Sequence, residues 1–180
     1  MNLILFGFKG SGKSHFGKLL AQKTQRPFLD TDELLSKLYY QETHTHLSSN
    51  QIHQKIGAAS FRALEKKVVF SLKGVKDTII ALGGGAILDP DSAAFLQTLG
   101  SLVYLSASDE TLKTRILKEE LPDFFDKNDP LGSFHRMIQE RLPIYTSIPA
   151  QKIDVDALDE AGVLASLQSI LILEEPTNGF

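Results

Sequence analysis

The chain opens on an unbroken apolar run, Leu3-Ile4-Leu5-Phe6, that halts at Gly7. Apolar runs without polar alternation predict strands covered on both faces, as in parallel sheets. After the glycines, Phe16, Leu19, Leu20 and Lys23 follow a helical period that Pro27 should end. Pro27-Phe28-Leu29 predicts a second short strand, and an acidic helix start follows at Glu33. Residues 41–55 are polar and weakly patterned, which predicts a mobile or substrate-facing stretch. Phe61, Leu64, Val68 and Leu72 lie three, four and four apart, one face of a helix ending near Gly74.

Thr78–Leu82 reads as a central buried strand closed by Gly83-Gly84-Gly85. A helix over Ala93–Leu99, a strand over Ser101–Leu105 and a helix over Asp109–Lys118 follow. Residues 119–133 carry Pro122, Asp123, Asn128, Asp129, Pro130 and Gly132, the composition of a surface lid. Then come a helix from about Phe134 to Leu142 stopped by Pro143, a strand near Ile153–Val155, and a helix over Asp159–Leu173. The tail, 174–180, reads as frayed. Alternating strands and helices predict an α/β fold with a parallel sheet and right-handed crossovers, without internal repeats or an interdomain linker.

Composition narrows the class. At 180 residues, one domain spanning 1–180 is expected, and 42% apolar with 23% charged residues is the mixture of a folded globule. Nineteen Lys and Arg against 22 Asp and Glu leave a net charge of -3, which advertises neither nucleic acid nor an anionic membrane. No cysteine is present, so disulfides, thiol catalysis and Cys-based metal sites are excluded. Without a signal-like or bilayer-length apolar run, the expectation is a soluble, cytoplasmic protein.

One motif carries strong chemistry. Gly7-Phe8-Lys9-Gly10-Ser11-Gly12-Lys13-Ser14 fits G-x-x-x-x-G-K-[ST], the P-loop. Its glycines let backbone N–H groups curl around a polyanion, and the next helix points its positive end at the same place. Lys13 supplies a mobile charge for the outer phosphates, and the Ser14 hydroxyl suits Mg²⁺. A chance match is about one in a hundred chains of this length or rarer, and the strand before it and helix after it lower that further. Nucleoside triphosphate binding follows.

The acceptor side is written in weaker signals. Asp30-Thr31-Asp32 falls at the carboxyl end of the second strand, where open α/β sheets place ligands. One carboxylate suits Mg²⁺ and the other an acceptor hydroxyl; the alternative is a pair complementing a helix dipole. Arg62 and Glu65 read either as a solvated i,i+3 pair or as a guanidinium braced to grip a substrate carboxylate. Arg141 offers a second such group, and either arginine alone also reads as an ordinary surface residue. Gly83-Gly84-Gly85, directly after the central strand, suits close backbone approach to a ligand, with its N–H groups facing it.

In that order and at those spacings, the P-loop, Asp30-Thr31-Asp32, Phe61-Arg62 with Glu65, the triple glycine and Arg141-Leu142-Pro143-Ile144-Tyr145 resemble the shikimate kinase family over residues 2–155. The resemblance implies a three-layer P-loop fold: a five-stranded parallel sheet flanked by helices, with a substrate-binding helical segment near 33–60, which should move on binding, and a lid near 119–133. It implies ATP-dependent, Mg²⁺-assisted phosphorylation of the 3-hydroxyl of shikimate in aromatic amino-acid biosynthesis, by a monomer whose partners are small molecules. Carried over by position, Gly10, Ser11, Gly12, Lys13, Ser14, His15 and Arg115 would bind ATP, and Ser14 and Asp30 would hold Mg²⁺. Lys13 and Asp32 would be catalytic. Asp32, Arg62, Gly83, Gly84, Gly85 and Arg141 would bind shikimate.

The lid departs from the pattern. Where the family usually carries Arg-Pro-Leu, this chain has Leu121-Pro122-Asp123, leaving Lys118, Lys127 and Arg136 as substitute cations. His44-Thr45-His46 with His53 has metal-like spacing, but its polar surroundings favour a solvated segment. Tyr39-Tyr40 and Phe124-Phe125 read as packing residues. The alternatives to a shikimate kinase are a P-loop kinase acting on gluconate or a nucleotide, and a nucleotide-binding regulator that lost turnover with its lid arginine.

Overall fold

A computed structural model describes residues 1–118 and 121–173. The expected frayed tail and the first two residues of the expected lid lie outside the described residues.

Strand β1 (Asn2–Phe6) is buried at every position and splits its side chains between two cores, as a strand with both faces covered must. Leu3 and Leu5 face Phe16, Leu20 and Val103, whereas Ile4 and Phe6 face Ile80, Leu102 and Tyr145. Four further strands complete the sheet: β2 (Phe28–Asp30), β3 (Ile79–Ala81), β4 (Gly100–Ser106) and β5 (Gln151–Asp154). Their order is β2-β3-β1-β4-β5 and every pairing is parallel. Helices α1 (Lys13–Thr24) and α7 (Glu160–Leu173) supply one covering layer. The opposite face is covered by α3 (Ser49–Ser71), α4 (Pro90–Leu99), α5 (Asp109–Lys118) and α6 (Pro130–Ser147).

A third core stands beside the sheet. Helix α2 (Thr31–Thr43) packs on α3 through Leu35, Tyr39, Ile52, Phe61 and Val68. The polar stretch 41–55, expected to be mobile or substrate-facing, is mostly helix, and its Ser49, Asn50 and His53 line the main cavity. Ser48 opens α3 with a capping box to Gln51, and Ile52 is fully buried. Sparse apolar spacing hid this element, because only one side of its first half is covered.

Several boundaries move for local reasons. Helix α1 stops before Pro27, with Gln25 in the left-handed region at φ 56°. Helix α2 begins at Thr31 rather than Glu33, because the Asp30 carboxylate caps it through the Asp32 N–H. Pro143 lies inside α6 rather than after it; burial of Phe134, Met137 and Tyr145 along this helix outweighs the backbone bond a proline forfeits. Residues 130–133, expected in the lid, form the first turn of α6, capped by Asp129.

Parallel strands send their following loops to one edge of the sheet. Gly7 after β1, Asp30 closing β2 and Gly83 beyond β3 therefore become neighbours.

Candidate active site

The loop after β1 is built to leave donors exposed. Gly10 and Gly12 adopt φ 83° and 91°, conformations that side chains disfavour. Gly12 caps α1 without a side-chain bond, and no acidic residue occupies the helix's first turn. The positive end of α1 is thus left to an anion. Lys13 Nζ donates to the carbonyls of Gly7 at 3.0 Å and Phe8 at 2.8 Å. Burial pushes its ammonium down to about 8, although Asp32 and Asp30 pull the other way.

The acidic pair divides by geometry. Asp30 is buried; one oxygen accepts the Asp32 N–H at 2.9 Å and the other accepts the Ser14 hydroxyl at 2.5 Å. Asp32, two residues on, faces the cavity instead. Desolvation first, and the Asp30 charge second, push its carboxyl up to about 6, against Lys13 and Lys9. The helix-terminus reading of Asp30-Thr31-Asp32 is thus realised in Asp30, which caps α2 and with its other oxygen accepts from Ser14.

Asp32, Arg62 and Arg141 open into one cavity of about 750 Å³, and Lys13 and Ser14 form its far wall. Arg62 Nη1 donates to Glu65 at 2.5 Å. The Glu65 carboxylate is buried while the Arg62 side chain is 41% exposed, so the guanidinium is held from beneath with a face left over. Burial raises the pKa of Glu65 even though Arg62 opposes the shift. Met137, Arg141 and Tyr145 succeed each other every four residues on one face of α6. The Tyr145 hydroxyl donates to the Gly84 carbonyl; burial pushes its pKa up to about 12, with the Arg141 charge opposing.

The triple glycine is explained mainly by these side chains. A Cβ on Gly85 would overlap the Arg62 guanidinium, and one on Gly83 would come within 2.6 Å of Asp32 Oδ1. Gly84 and Gly85 line the cavity. Gly83, expected among the ligand-facing residues, sits one step behind them: its N–H is donated to Thr31 Oγ1 at 2.7 Å.

The remaining expected residues fall at the nucleotide end or behind it. Gly10, Gly12 and His15 line the cavity, and His15 meets Glu160 at 2.8 Å on the open rim. Arg115, also lining it, donates to the Gly10 carbonyl at 2.8 Å. Ser11 is fully buried under the loop with an unpartnered hydroxyl among the described residues. Of the substitute cations, Lys118, Lys127 and Arg136 do not line the cavity; Arg136 is turned to Ser133 and Asp129. The lining cation that sequence reasoning passed over is Lys9, inside the P-loop itself.

Two further readings need correction. His53 is not in a solvated segment: its Nδ1–H donates to Asp123 at 2.6 Å, and the two side chains are only 13% and 10% exposed. Phe124 is more than packing, because the Arg141 guanidinium lies over its ring at 4.8 Å. A helical-wheel argument places His53 and Arg62 about 180° apart, since they are nine residues apart at about 100° each. The break at Gly57 (φ 78°, ψ 164°) re-phases α3 and brings both to the cavity. That single glycine was the signal available in the sequence.

Among the described residues, no cluster of three or more His, Asp or Glu suits a protein-only metal cage. Ser14 and Asp30 do fit Mg²⁺, which takes one or two protein oxygens together with phosphates and water. No helix among the described residues is long and apolar enough to cross a membrane.

Comparison with known proteins agrees along nearly the whole chain. The family model "SKI: Shikimate kinase" matches residues 9–171. A shikimate kinase of Syntrophus aciditrophicus is 35% identical over 175 residues, spanning 91% of this chain and 87% of that protein. One from Hahella chejuensis is 33% identical over 170 residues, spanning 94% and 85%. The solved shikimate kinase from Acinetobacter baumannii in complex with shikimate superposes with a TM-score of 0.81 at 28% identity, covering 98% of this chain and 95% of that one. With motif order, parallel sheet and site geometry all in agreement, this chain belongs to the shikimate kinase family.

Proposed function

We propose that this chain transfers the γ-phosphoryl group of ATP to the 3-hydroxyl of shikimate, a step of aromatic amino-acid biosynthesis, using the cavity between the P-loop and α3. The observation that carries the reading is the convergence of Asp32, Arg62 and Arg141 in one hollow with Lys13. A small hydroxylated acid matches that set. The two guanidinium groups pair with its carboxylate, and Asp32 accepts a hydrogen bond from its hydroxyl. A nucleotide acceptor needs base-reading groups, and the two arginines suit a compact carboxylate better. The kinship leaves no independent support for a regulator without turnover.

Chemistry at such a site is positioning and charge stabilisation, with little covalent work for the protein. Asp32, held near the operating pH by its surroundings, takes the hydroxyl proton as the oxygen–phosphorus bond forms and ADP leaves. Lys13 exchanges its bonds to the loop carbonyls for phosphate oxygens, and the Gly10–Gly12 backbone and the start of α1 receive the remaining phosphate charge. Ser14 and Asp30 would hold Mg²⁺, which when bound neutralises phosphate charge. Lys9, on the acceptor side of the loop and near enough to Asp32 to lower its pKa, adds positive charge where the lid brings none. Residues 33–60 form the acceptor-binding segment, and the segment from 121 to 129 shields the reaction from water. The reading carries with it a single domain over 1–180 acting as a monomer in the cytoplasm, a reducing compartment that a chain without cysteine suits.

The deciding experiment is ADP release from Mg-ATP with shikimate, gluconate or nucleoside monophosphates as acceptor. Shikimate-dependent release at about 1–100 s⁻¹ is expected. Turnover only with another acceptor, or tight ATP binding without turnover on any, would overturn the reading.

A further inference from the structure

The stretch 121–125, where the family's lid arginine is missing, is docked onto α3 by a set of polar contacts. Asn50 grips the backbone twice: its Nδ2 donates to the Leu121 carbonyl at 3.1 Å, and its Oδ1 accepts the Asp123 N–H at 2.8 Å. One helical turn on, His53 bonds the Asp123 carboxylate at 2.6 Å, and its ring packs on Phe61 at 4.9 Å and near Phe124 at 6.2 Å. The paired amide bonds fix the segment's register, and the histidine bond fixes its distance from the helix.

These contacts determine where Phe124 sits. The residue is 45% exposed and lines the cavity. The Arg141 guanidinium lies over it, with Cζ 4.8 Å from the ring centroid. The same guanidinium stands close enough to the Tyr145 hydroxyl for its charge to oppose the rise that burial imposes on that group's pKa. A flexible arginine thereby rests against an aromatic face, and both partners line the cavity. A planar cation above an aromatic face is favoured by electrostatics and loses few hydrogen-bonding directions in its own plane.

We infer that Phe124 is a positioning residue for Arg141, and that Asn50 and His53, by docking the 121–125 segment on α3, hold the phenylalanine in place. The inference deepens the proposed function and rests on Arg141 as a carboxylate-binding group. Fixing that guanidinium before the acceptor arrives lowers the ordering cost of binding. The acceptor-facing lid of this chain therefore acts on the carboxylate end of the substrate rather than on the transferring phosphate.

The test is steady-state kinetics of a double-mutant cycle on the full chain. Phe124→Leu should raise the KM for shikimate by about three- to fivefold, the scale of a partly exposed cation–π contact, with a smaller change in kcat and in the KM for ATP. Phe124→Tyr should restore the parent KM, because the face is kept. Combined with Arg141→Ala, Phe124→Leu should have no further effect, since the group it positions is gone. Asn50→Ala and His53→Ala should reproduce the KM rise in the parent and lose it in the Phe124→Leu background. Additive effects of Phe124→Leu and Arg141→Ala, or an unchanged shikimate KM in Phe124→Leu, would overturn the inference while leaving the arginine's role standing. A shikimate KM unmoved by Arg141→Ala would instead remove the underlying reading.

Discussion

The two ends of the cavity are built in opposite ways. The P-loop end is built mainly from one contiguous stretch, Gly7 to Ser14, of backbone N–H groups and a helix terminus, with Asp30 and Arg115 joining it from elsewhere in the chain. The acceptor end is assembled from side chains far apart in sequence: Asp32 on α2, Arg62 on α3, Gly85 beyond β3 and Arg141 on α6. Backbone cradles depend on glycine at particular conformations and tolerate variation around them. Side-chain constellations depend on every supporting contact, among them Glu65 beneath Arg62 and Tyr145 beside Arg141. A change at the acceptor end should therefore be local in its kinetic effect, whereas one at the junction of the two should be felt everywhere.

The largest effect is expected at that junction. Asp32→Asn keeps the shape of the pocket but removes the base, so kcat should fall by about 10²- to 10⁴-fold while ATP affinity, measured by fluorescence titration or calorimetry, stays within a few-fold. A mild loss would show that Asp32 orients the acceptor without taking its proton. Arg62→Ala comes next. Losing a charge-assisted contact to a carboxylate should raise the KM for shikimate by about 10- to 100-fold with the KM for ATP nearly unchanged. Equal losses for both substrates would erase the division between the two ends.

The pH dependence of kcat/KM comes third. Asp32 must be ionised to act, so the rate should drop about tenfold per pH unit below about 6. Lys13 must stay charged, so a second fall is expected above about 8. The sign follows from the two groups: a base with a raised pKa loses activity on the acid side, and a cation with a lowered pKa loses it on the alkaline side. Asp32→Asn should flatten the acid limb and move the alkaline one to lower pH, because the Asp32 charge helps keep Lys13 protonated. The smallest of these effects is expected from Gly83→Ala, whose added methyl would press on Asp32 Oδ1; a several-fold lower kcat with intact ATP binding would place the disturbance at the acceptor end, and an ATP-binding defect would contradict it.

Legibility followed the same division. The P-loop could be read directly, because eight neighbouring residues carry the whole geometry, and the order of strands and helices could be read from apolar runs such as Leu3–Phe6. The α2–α3 core was missed. Its polar first half, 41–55, owes its helical state to Ile52 meeting Leu35 and Phe61 and to a capping box, contacts that no short window of sequence displays. Pro143 misled for a related reason, since local propensity argued for a stop and the buried face of α6 overrode it. His53 was judged by its polar neighbours and Phe124 by the lack of a basic stripe beside it, although their partners lie 70 and 17 residues away, at Asp123 and Arg141.

The alternation of apolar runs and helical periods was enough for the class of fold, and eight adjacent residues were enough to mark a P-loop, whereas Asp30 and Asp32 stayed open between a ligand-binding pair and a helix-dipole pair. Folding in three dimensions was needed to show which carboxylate faces the cavity, why Gly83 and Gly85 carry no side chain, and where the segment 121–123 docks on α3. Those outcomes depend on distances between elements, and such distances are set by packing against the sheet and by the break at Gly57, not by any local pattern of residues.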